Sequence, residues 1–544
     1  MSQTEVEWQF DADDLAPTER WLTGLEGRAL ADVPALVVQA GPRRHLVDTY
    51  VDTDDWRLGR AGLVLRTRRH GDGVEVTMKD VRPASASGLR QRLELTEDLA
   101  GGDLAALGPD GPVGSRVTAL AGARPLGPVL EIRTRRRPFS LMAGGAEVAE
   151  VALDDTILVA GKGQRPARLR RVEVEVSPDW VDRLAPVVDD LRAAAGLRPA
   201  AFSKFESGLL AAGVSVPGPP DLGATEVGPA SSVGEVAYAV VRENLHQMLA
   251  REPGTRLGED PEELHQMRVA TRRLRAAMSL FGASLPPRAR LLRAELRWVA
   301  NALGAVRDLD VQLAGLEGLA AWAAAWPEGG PVALGALRRL LERRRDEARQ
   351  DLLGVLDSPR WTRLTAAMVV LAQRGPPPRL EAARVPAVAA LPPLVARRHR
   401  QATRAAKVAR RSGAAADYHQ LRIRCKRLRY AVECTSALYD PDARRFVKEL
   451  ARLQDHLGSA QDAEVAAGRL AALVRPAGRG RGQALAASTV FAMGGLAEHY
   501  REVSRQLRAE TPGRLESLGG PGWKGLSAAM RAGTARAEHG TPAP

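Results

Sequence analysis

The chain has 544 residues, too many for one hydrophobic core, so we expect two or three domains, and no apolar run is long enough to predict a membrane-spanning helix. The formal net charge is +13, and residues 231–510 hold 46 Lys and Arg against 29 Asp and Glu, so the excess positive charge lies in the C-terminal part. The two cysteines lie in one predicted helix, so we expect no disulfide framework. The N-terminus is charged from its fifth residue, so we expect no signal peptide and a reduced, cytoplasmic protein.

Polar and apolar residues alternate from residue 5 to about residue 176, which is the period of β-strands. In EVEWQF, Glu5, Glu7 and Gln9 share one face of the strand, and the apolar residues occupy the other. The same alternation aligns charged side chains in later strands: Arg66 with Arg68, Glu75 with Lys79, Arg92 with Glu94, Glu131 with Arg133 and Arg135, and Glu173 with Glu175.

Two architectures explain this alternation. An open antiparallel sheet with one wet face accounts for the polarity, and this alternative stays open. A closed barrel with a charged lumen also explains why both signs align strand after strand, so the pattern favours it slightly. Carboxylates in such a lumen would hold a divalent metal, and cations would bind phosphate oxygens.

The strands also carry a family resemblance. EVEWQF, YVDTDDWRLGRAGLVLRTRR, TMKD, GLRQRLEL and AFSKFESGL resemble the CYTH domain, the triphosphate tunnel fold. The resemblance implies a closed antiparallel β-barrel that binds tripolyphosphate and hydrolyses it with Mg²⁺ or Mn²⁺. It implies catalytic roles for Glu5, Glu7 and Lys79, metal ligation by Glu5, Glu7, Glu173 and Glu175, and substrate binding by Arg66, Arg68, Arg92, Arg133, Arg135 and Lys204.

Two positions depart from the family pattern. The family's opening signature is Glu-x-Glu-x-Lys, and Gln9 stands where the lysine is expected. Near Ser207, related sequences often carry an arginine that is missing here. Glutamine donates a hydrogen bond but supplies no charge. We therefore expect weak triphosphatase activity, with turnover affected more than binding.

The rest of the chain divides by composition. A Gly-, Pro- and Ser-rich stretch predicts a linker at residues 211–232, so the first domain is placed at residues 1–210. Apolar residues then recur at helical spacing, which predicts an all-α domain at residues 233–510. Residues 511–544 are predicted to be a disordered tail.

The helical part is an internal repeat. HQMRVATRRLR and HQLRIRCKRLR align at an offset of 154 residues, and so do LGAVRDLDV and LGSAQDAEV. The distance from the histidine to the glycine of the second motif is 39 residues in both copies. A shared spacing of this length indicates duplication of a multi-helix unit. We expect two similar bundles, at about 233–374 and 396–510, facing each other about a pseudo-twofold axis.

Each copy carries a helix with a basic stripe on one side. The stripes are His265, Arg268, Arg272 and Arg275 in the first copy, and His419, Arg422, Lys426 and Arg429 in the second. An ordinary solvated face is the alternative, but such faces usually mix signs because Glu–Arg pairs stabilise a helix. Neither copy has an acidic residue within its stripe. The pattern therefore favours binding of a polyanion: nucleic acid, a membrane surface or a phosphate polymer.

These repeated motifs resemble the CHAD domain, a helical module named for its histidines. The resemblance implies two four-helix bundles with a basic central cavity that binds inorganic polyphosphate, and the eight stripe residues would form that site. Scarcity of aromatic residues in the stripes disfavours single-stranded nucleic acid. A non-catalytic protein associated with polyphosphate granules in the cytoplasm, and a nucleic-acid-binding protein, stay open as alternatives.

Overall fold

The structure is a computed structural model, and it divides the chain into two compact units, Met1–Gly218 and Pro219–Pro544. The residues that it describes are 3–25, 36–70, 73–81, 85, 87–100, 104, 107–158, 166–319, 330–474 and 486–538. Within these ranges, we find no helix with the length and apolar character needed to cross a membrane.

The strands of the first unit form one antiparallel sheet that closes on itself. They are β1 (Gln3–Asp11), β2 (Val37–Ala40), β3 (Arg44–Thr53), β4 (Leu63–His70), β5 (Gly73–Asp80), β6 (Leu89–Ala100), β7 (Leu126–Ala143), β8 (Ala146–Leu158), β9 (Ala167–Val176) and β10 (Arg198–Pro199). The barrel order is β1-β6-β5-β4-β3-β7-β8-β9, and pairing of β9 with β1 closes it. The predicted closed barrel is confirmed, and the open-sheet alternative is excluded.

Helices pack on the barrel, and those that pack on its outside explain why its interior is charged. They are α1 (Ala16–Leu25), α2 (Arg57–Arg60), α3 (Pro112–Ala121), α4 (Val181–Ala195) and α5 (Lys204–Ala212). Trp8 and Phe10 of β1 lie in one buried cluster with Leu22 of α1 and Leu184 of α4. Because the apolar face of β1 packs outward against these helices, its polar face turns into the lumen.

Helix α5 places a lysine in the lumen. Its N-terminus has a complete capping box, in which Ser203 and Glu206 each accept a hydrogen bond from the other's backbone N–H. Gly208 lets the helix lie close to β7, because a Cβ there would be only 2.4 Å from Leu130 Cδ2. This fixed start of the helix positions Lys204, its first residue, against the barrel interior.

The second unit is helical. Its helices are α6 (Val233–Ala250), α7 (Glu252–Leu257), α8 (Pro261–Leu280), α9 (Ala289–Glu317), α10 (Gly330–Asp357), α11 (Pro359–Arg374), α12 (Glu381–Arg384), α13 (Ala387–Ser412), α14 (Ala415–Glu433), α15 (Asp442–Val474), α16 (Ala487–Arg514) and α17 (Pro521–Glu538). Residues 214–231, all of them described, contain neither helix nor strand.

The helices of the second unit repeat at the offset found in the sequence. Helices α6 and α13 begin at residues 233 and 387, and α8 and α14 begin at residues 261 and 415, so both pairs differ by 154. Helices α6, α8, α9 and α11 form one four-helix bundle, and α13, α14, α15 and α17 form the other. The predicted duplication into four-helix bundles is confirmed.

The prediction of a disordered tail was wrong for residues 511–538. Helix α17 is the fourth helix of the second bundle, and its Leu526 and Met530 are buried in that bundle's core. Small residues between these positions obscured the pattern, although Trp523, Leu526 and Met530 recur at helical spacing. Residues 539–544 of the predicted tail lie outside the described residues.

Candidate functional site

The barrel encloses a cavity of about 600 Å³. Its wall carries more carboxylates than cations. The carboxylates are Glu5, Glu7, Asp48, Glu75, Asp80, Glu94, Glu150, Glu173, Glu175 and Glu206, and the cations are Arg66, Arg68, Lys79, Arg90, Arg92, Arg136 and Lys204. A highly charged anion can therefore enter this lumen only with protons or metal cations that offset the excess negative charge.

The predicted catalytic residues meet in a network across three strands. Glu5 and Arg92 are register partners on β1 and β6, and Arg92 Nε donates to Glu5 Oε2 at 2.8 Å. Lys79 Nζ of β5 donates to Glu5 Oε1 at 2.8 Å and lies 3.1 Å from Glu94. Although burial acts to raise it, Lys79 and Arg92 lower the pKa of Glu5 to about 2. Glu5 is thus ionised and bound to two cations.

Gln9 lies in the lumen, as the alternation predicts, and is 2% exposed. Its Nε2 donates to Glu7 Oε1 at 2.7 Å and to Glu173 Oε1 at 3.5 Å. Burial raises the pKa of Glu7 to about 7, with Glu5 and Glu173 adding to the effect of burial and Arg92 opposing it. Gln9 brings no positive charge that would oppose the effect of burial.

Two cations of the lumen share a pair of carboxylates. Arg136 Nη2 lies 2.7 Å from both Asp154 Oδ2 and Glu173 Oε2. Lys204 Nζ contacts Asp154 and lies 2.8 Å from Glu173. Against the effect of burial, Lys204 and Arg136 hold the pKa of Glu173 well below its ordinary value. Glu173 is therefore the counter-ion of two phosphate-binding candidates.

Arg66 and Arg68 enter the lumen from β4, as predicted. Arg68 donates through Nε and Nη2 to Asp48, its register partner on β3, at 2.6 and 2.9 Å. Arg66 Nη2 donates to Thr77 Oγ1 at 3.0 Å. Sequence reasoning missed Asp48, whose signal is a carboxylate directly before the largely buried end of β3.

The assignment of Arg133 and Arg135 to the phosphate site was wrong. Both lie exposed on the outside of β7, and Arg133 pairs there with Glu131 at 2.8 Å. Arg136 is the arginine of β7 that lines the lumen. Strand β7 carries arginines on both faces, so the arginine pattern alone does not identify the inner face. The buried Ile132 lies on the same face as Arg136 and marks the side that turns inward.

The predicted metal ligands Glu5, Glu7, Glu173 and Glu175 are not gathered as one set. No group of three or more His, Cys, Asp or Glu within the described ranges is arranged to hold a metal ion. Burial and the charge of Glu5 raise the pKa of Glu175, and Glu94 adds to this effect. Carboxylate oxygens are the ligands that Mg²⁺ and Mn²⁺ prefer, and Glu5, Glu94 and Glu175 all line the lumen.

The two basic stripes of the second unit face each other. Helices α8 and α14 are in contact. Burial lowers the pKa of Lys426 to about 7, and the charges of Arg422, Arg272 and Arg268 contribute to the shift. Arg268 and Arg272 come from the first repeat, and Arg422 and Lys426 from the second. We call these four residues the central cluster.

In each repeat, the glycine of the second motif lies beside an arginine of the central cluster. A Cβ at Gly304 would lie 3.7 Å from Arg268 Nε, and a Cβ at Gly458 would lie 4.0 Å from Arg422 Nε, both ordinary van der Waals distances. The shared spacing of 39 residues between the stripe histidine and this glycine thus corresponds to the same local contact in both repeats.

Several nitrogens of the stripes are buried without a hydrogen-bond partner. They include Nε of Arg272, Arg275 and Arg422 and Nδ1 of His265, as far as the described part of the chain shows. A buried unsatisfied donor costs about 1–3 kcal/mol. An anion that supplies oxygen acceptors at these atoms would remove that cost.

The two stripe histidines have different partners. His419 Nδ1 lies 2.8 Å from Gln461 Oε1, so it is hydrogen-bonded. The repeat-equivalent of Gln461 is Arg307, and burial together with the charge of Arg307 lowers the pKa of His265. Arg307 is thus a further cation beside the first stripe that the sequence reasoning missed.

The last arginines of the stripes also differ. Arg429 lies 3.3 Å from Glu433, and its guanidinium is 5.7 Å from the ring centroid of Tyr430. Arg275 instead lines a cleft of about 600 Å³ that we call the arginine cleft. Seven arginines line the arginine cleft: Arg272, Arg275, Arg290, Arg293, Arg297, Arg398 and Arg427. None of the described residues in its wall is acidic.

Two family models match the chain, one over each of its two parts. The CYTH domain model matches residues 29–209 and the CHAD domain model matches residues 239–471. No curated protein matches the chain at a significant level.

Solved structures resemble each unit. The CHAD domain from the plant Ricinus communis is 28% identical, covers 56% of this chain and 97% of its own, and has a TM-score of 0.45. PptA from Streptomyces chartreusis is 23% identical, with 53% and 100% covered and a TM-score of 0.44. A Hippeastrum protein described as having a dominant triphosphatase activity is 16% identical, with 39% and 98% covered and a TM-score of 0.29. By its two family matches, this chain belongs to the proteins in which a CYTH domain is followed by a CHAD domain.

Proposed function

We propose that this protein binds inorganic polyphosphate through its helical domain. The observation that carries the proposal is the central cluster, in which four cations from two repeats lie together with buried donors that lack partners. Like charges at this spacing repel one another, and a chain of phosphates between the two helices would offset the repulsion. The proposal places the protein in the cytoplasm, at polyphosphate granules.

The surroundings of the cluster favour polyphosphate over nucleic acid. Single-stranded nucleic acids bind proteins through base stacking on aromatic side chains as well as through phosphate contacts. The aromatic side chain beside the cluster, Tyr430, is 7% exposed and lies under the guanidinium groups of Arg272 and Arg429. A phosphate chain needs only the cations.

Two double variants of the full chain test the helical site. We expect Arg268→Glu with Arg272→Glu, and Arg422→Glu with Lys426→Glu, each to remove most of the affinity for long-chain polyphosphate in calorimetry. The reason is that one ligand contacts both helices. Arg343→Glu with Arg344→Glu, on the exposed face of α10, is the control with the same change in charge. Either test variant binding as tightly as wild type, with intact circular dichroism, would overturn the proposal.

We further infer that the tunnel binds inorganic tripolyphosphate, or a polyphosphate chain end, and hydrolyses it slowly. Arg66, Arg68, Arg92 and Lys204 point into the lumen, and each can exchange a carboxylate oxygen for a phosphate oxygen. Arg92 Nη2 donates to Glu7 Oε1, and protonation of Glu7 would weaken this contact, so that Nη2 could bind a phosphate oxygen while Nε stays bound to Glu5.

Mg²⁺ or Mn²⁺ would be held from the side of Glu5 and Glu175, and would neutralise charge on the phosphate oxygens. The excess of carboxylates in the lumen supports this requirement for a cation. Lys79 and Arg92 would orient the phosphates, while Gln9 contributes a hydrogen bond but no charge. Slow turnover follows from that missing charge.

Phosphate release tests the tunnel. We expect slow release from tripolyphosphate with Mg²⁺ or Mn²⁺, none with EDTA, and none from the Glu5→Gln variant. ATP and long polyphosphate serve as competing substrates. Tripolyphosphate binding without release would favour the non-catalytic alternative, and absence of binding to the tunnel would remove the proposal.

A further inference from the structure

The offset of 154 residues gives the arginine cleft a counterpart in the other half of the helical domain. Helices α8, α9, α13 and α14 line the arginine cleft, and their equivalents α14, α15, α6 and α8 line a second cleft of about 650 Å³. Tyr430 lines both clefts and so separates them. The two clefts therefore flank the contact between the basic helices.

The second cleft has lost most of the arginines. The three arginines of α9 in the arginine cleft have Arg444, Val447 and Ala451 as their equivalents on α15. Arg444 is ion-paired with Asp440. The equivalent of Arg398 is Asn244, which lines the second cleft. The wall of the second cleft also includes Glu243, and much of the rest is apolar.

A single carboxylate pairs with two of the arginines that the second half retains. Glu433 lies 3.3 Å from Arg429 Nε and 3.6 Å from Arg273 Nε. The equivalents of these two arginines are Arg275 and Arg427, which line the arginine cleft.

The residue equivalent to Glu433 is Ser279, which lines the arginine cleft and carries no charge. The arginines there repel one another: burial lowers the pKa of Arg275, and the charges of Arg297 and Arg293 contribute. Among the described residues, the cations of the arginine cleft thus have no carboxylate partner, whereas the second cleft contains Glu433 as a counter-ion.

We propose that bound polyphosphate extends from the central cluster into the arginine cleft alone, and that Glu433 closes the equivalent path on the other side. This inference rests on the proposed polyphosphate binding. A chain entering the second cleft would meet two carboxylates and an apolar wall, and would have to replace the ion pairs of Glu433. A chain entering the arginine cleft would offset a repulsion that no acidic residue in the described part of its wall relieves.

The one-sided path makes affinity depend on chain length. A short chain contacts only the central cluster. A longer chain also reaches the arginines of α9, which extend along about 10 Å of helix from Arg290 to Arg297. Cations outside the central cluster therefore contribute to the affinity for long chains only.

Charge reversal on α9 tests the path. In the full chain at about 0.15 M salt, we expect Arg293→Glu with Arg297→Glu to weaken long-chain binding about tenfold and to leave short-chain binding unchanged, because distant charges are screened. The matched control is Arg444→Glu with Lys448→Glu on α15, which are exposed and equal in charge change. The control should bind both lengths as wild type does.

Removing the carboxylate tests the closure. Glu433→Ser installs the residue found at the equivalent position. We expect this variant to bind long-chain polyphosphate several-fold more tightly, because Arg273 and Arg429 become available. Glu433→Asp keeps the carboxylate and should bind like wild type. An α9 variant that behaves like its control, or unchanged long-chain affinity in a folded Glu433→Ser protein, would overturn the inference. Absence of polyphosphate binding by wild type would instead overturn the proposed function.

Discussion

Gln9 is the residue at which the lumen departs most clearly from the family pattern. Its amide lies between Glu7 and Glu173, where a lysine would add a cation among the phosphate-binding groups. We expect Gln9→Lys to raise the rate of tripolyphosphate hydrolysis, because it adds positive charge where phosphoryl transfer develops negative charge. Steady-state kinetics with Mg²⁺ and with Mn²⁺ would measure the change.

Gln9→Met is the control for this prediction, since it has a similar volume and no charge. It should not raise the rate. An unchanged rate in Gln9→Lys would show that this position does not contact phosphate, or that the change near Ser207 already disables the site.

The raised pKa of Glu7 predicts how the barrel's stability depends on pH. Between its ordinary pKa and about 7, folded Glu7 keeps a proton that the unfolded chain has released, so the free energy of unfolding falls as pH rises through this window. Glu7→Gln cannot ionise, so it should be more stable than wild type at pH 8, by about 1–3 kcal/mol.

Hydrogen exchange of the amides of β1 at pH 5 and pH 8 would locate that effect in the barrel. The advantage of Glu7→Gln should be small at pH 5 and present at pH 8. An advantage of the same size at both pH values would contradict the assignment of the effect to Glu7.

Lys426 predicts a pH dependence of polyphosphate binding. Its pKa of about 7 means that the free protein loses this charge as pH rises from 6 to 8, so the affinity should fall over that range. Lys426→Arg keeps its charge and should weaken this dependence. Binding titrations at several pH values would show it, and identical pH profiles for the two proteins would contradict the prediction.

At this scale the sequence predicted which face of several strands turns into the lumen. Alternation and the family motifs placed Glu5, Lys79 and Arg92 correctly in the lumen. The error at Arg133 arose because β7 has arginines on both faces, and only packing of the barrel decides which face is inside. The pairing of Glu433 with Arg273 could not be assigned from sequence, because the two residues belong to different repeats, whereas its pair with Arg429 is a local contact on α14.

At the scale of elements, α17 completes the second bundle. We expect Leu526→Ala or Met530→Ala to lower the free energy of unfolding by about 2–5 kcal/mol, because both side chains are buried with their neighbours in the core. Val332→Ala is the control, since Val332 is 72% exposed. Denaturant unfolding would compare the variants, and a Leu526→Ala protein as stable as the control would show that α17 does not pack.

Strands and repeated helices were predictable because each carries a regular pattern, with a period of two in the barrel and an offset of 154 in the bundles. Helix α17 was missed because its apolar residues are few and separated by alanine and glycine. It corresponds to α11 in the order of the helices, but it begins at residue 521 where α11 begins at residue 359, a difference of 162 and not 154, so the offset of the motifs does not locate it.

At the scale of the whole molecule, the two units have opposite electrostatic character. The tunnel lumen has more carboxylates than cations, whereas the arginine cleft has cations without carboxylates among its described residues. Metal-assisted triphosphate binding suits the first arrangement, and direct binding of a phosphate chain suits the second. The charge distribution along the sequence already indicated the basic character of the helical unit. The excess of carboxylates in the lumen could not be predicted, because it depends on which side chains the closed barrel turns inward.

The central claim is that the helical domain binds polyphosphate in preference to other polyanions. The most direct measurement is a salt titration of the full chain with long-chain polyphosphate and with single-stranded DNA of equal charge. We expect tighter binding of polyphosphate at every salt concentration, with affinity falling as counterions compete, and a large loss when Arg268 and Arg422 are both changed to Glu. Equal affinity for the two polymers across the titration would contradict the account and favour a nucleic-acid-binding protein.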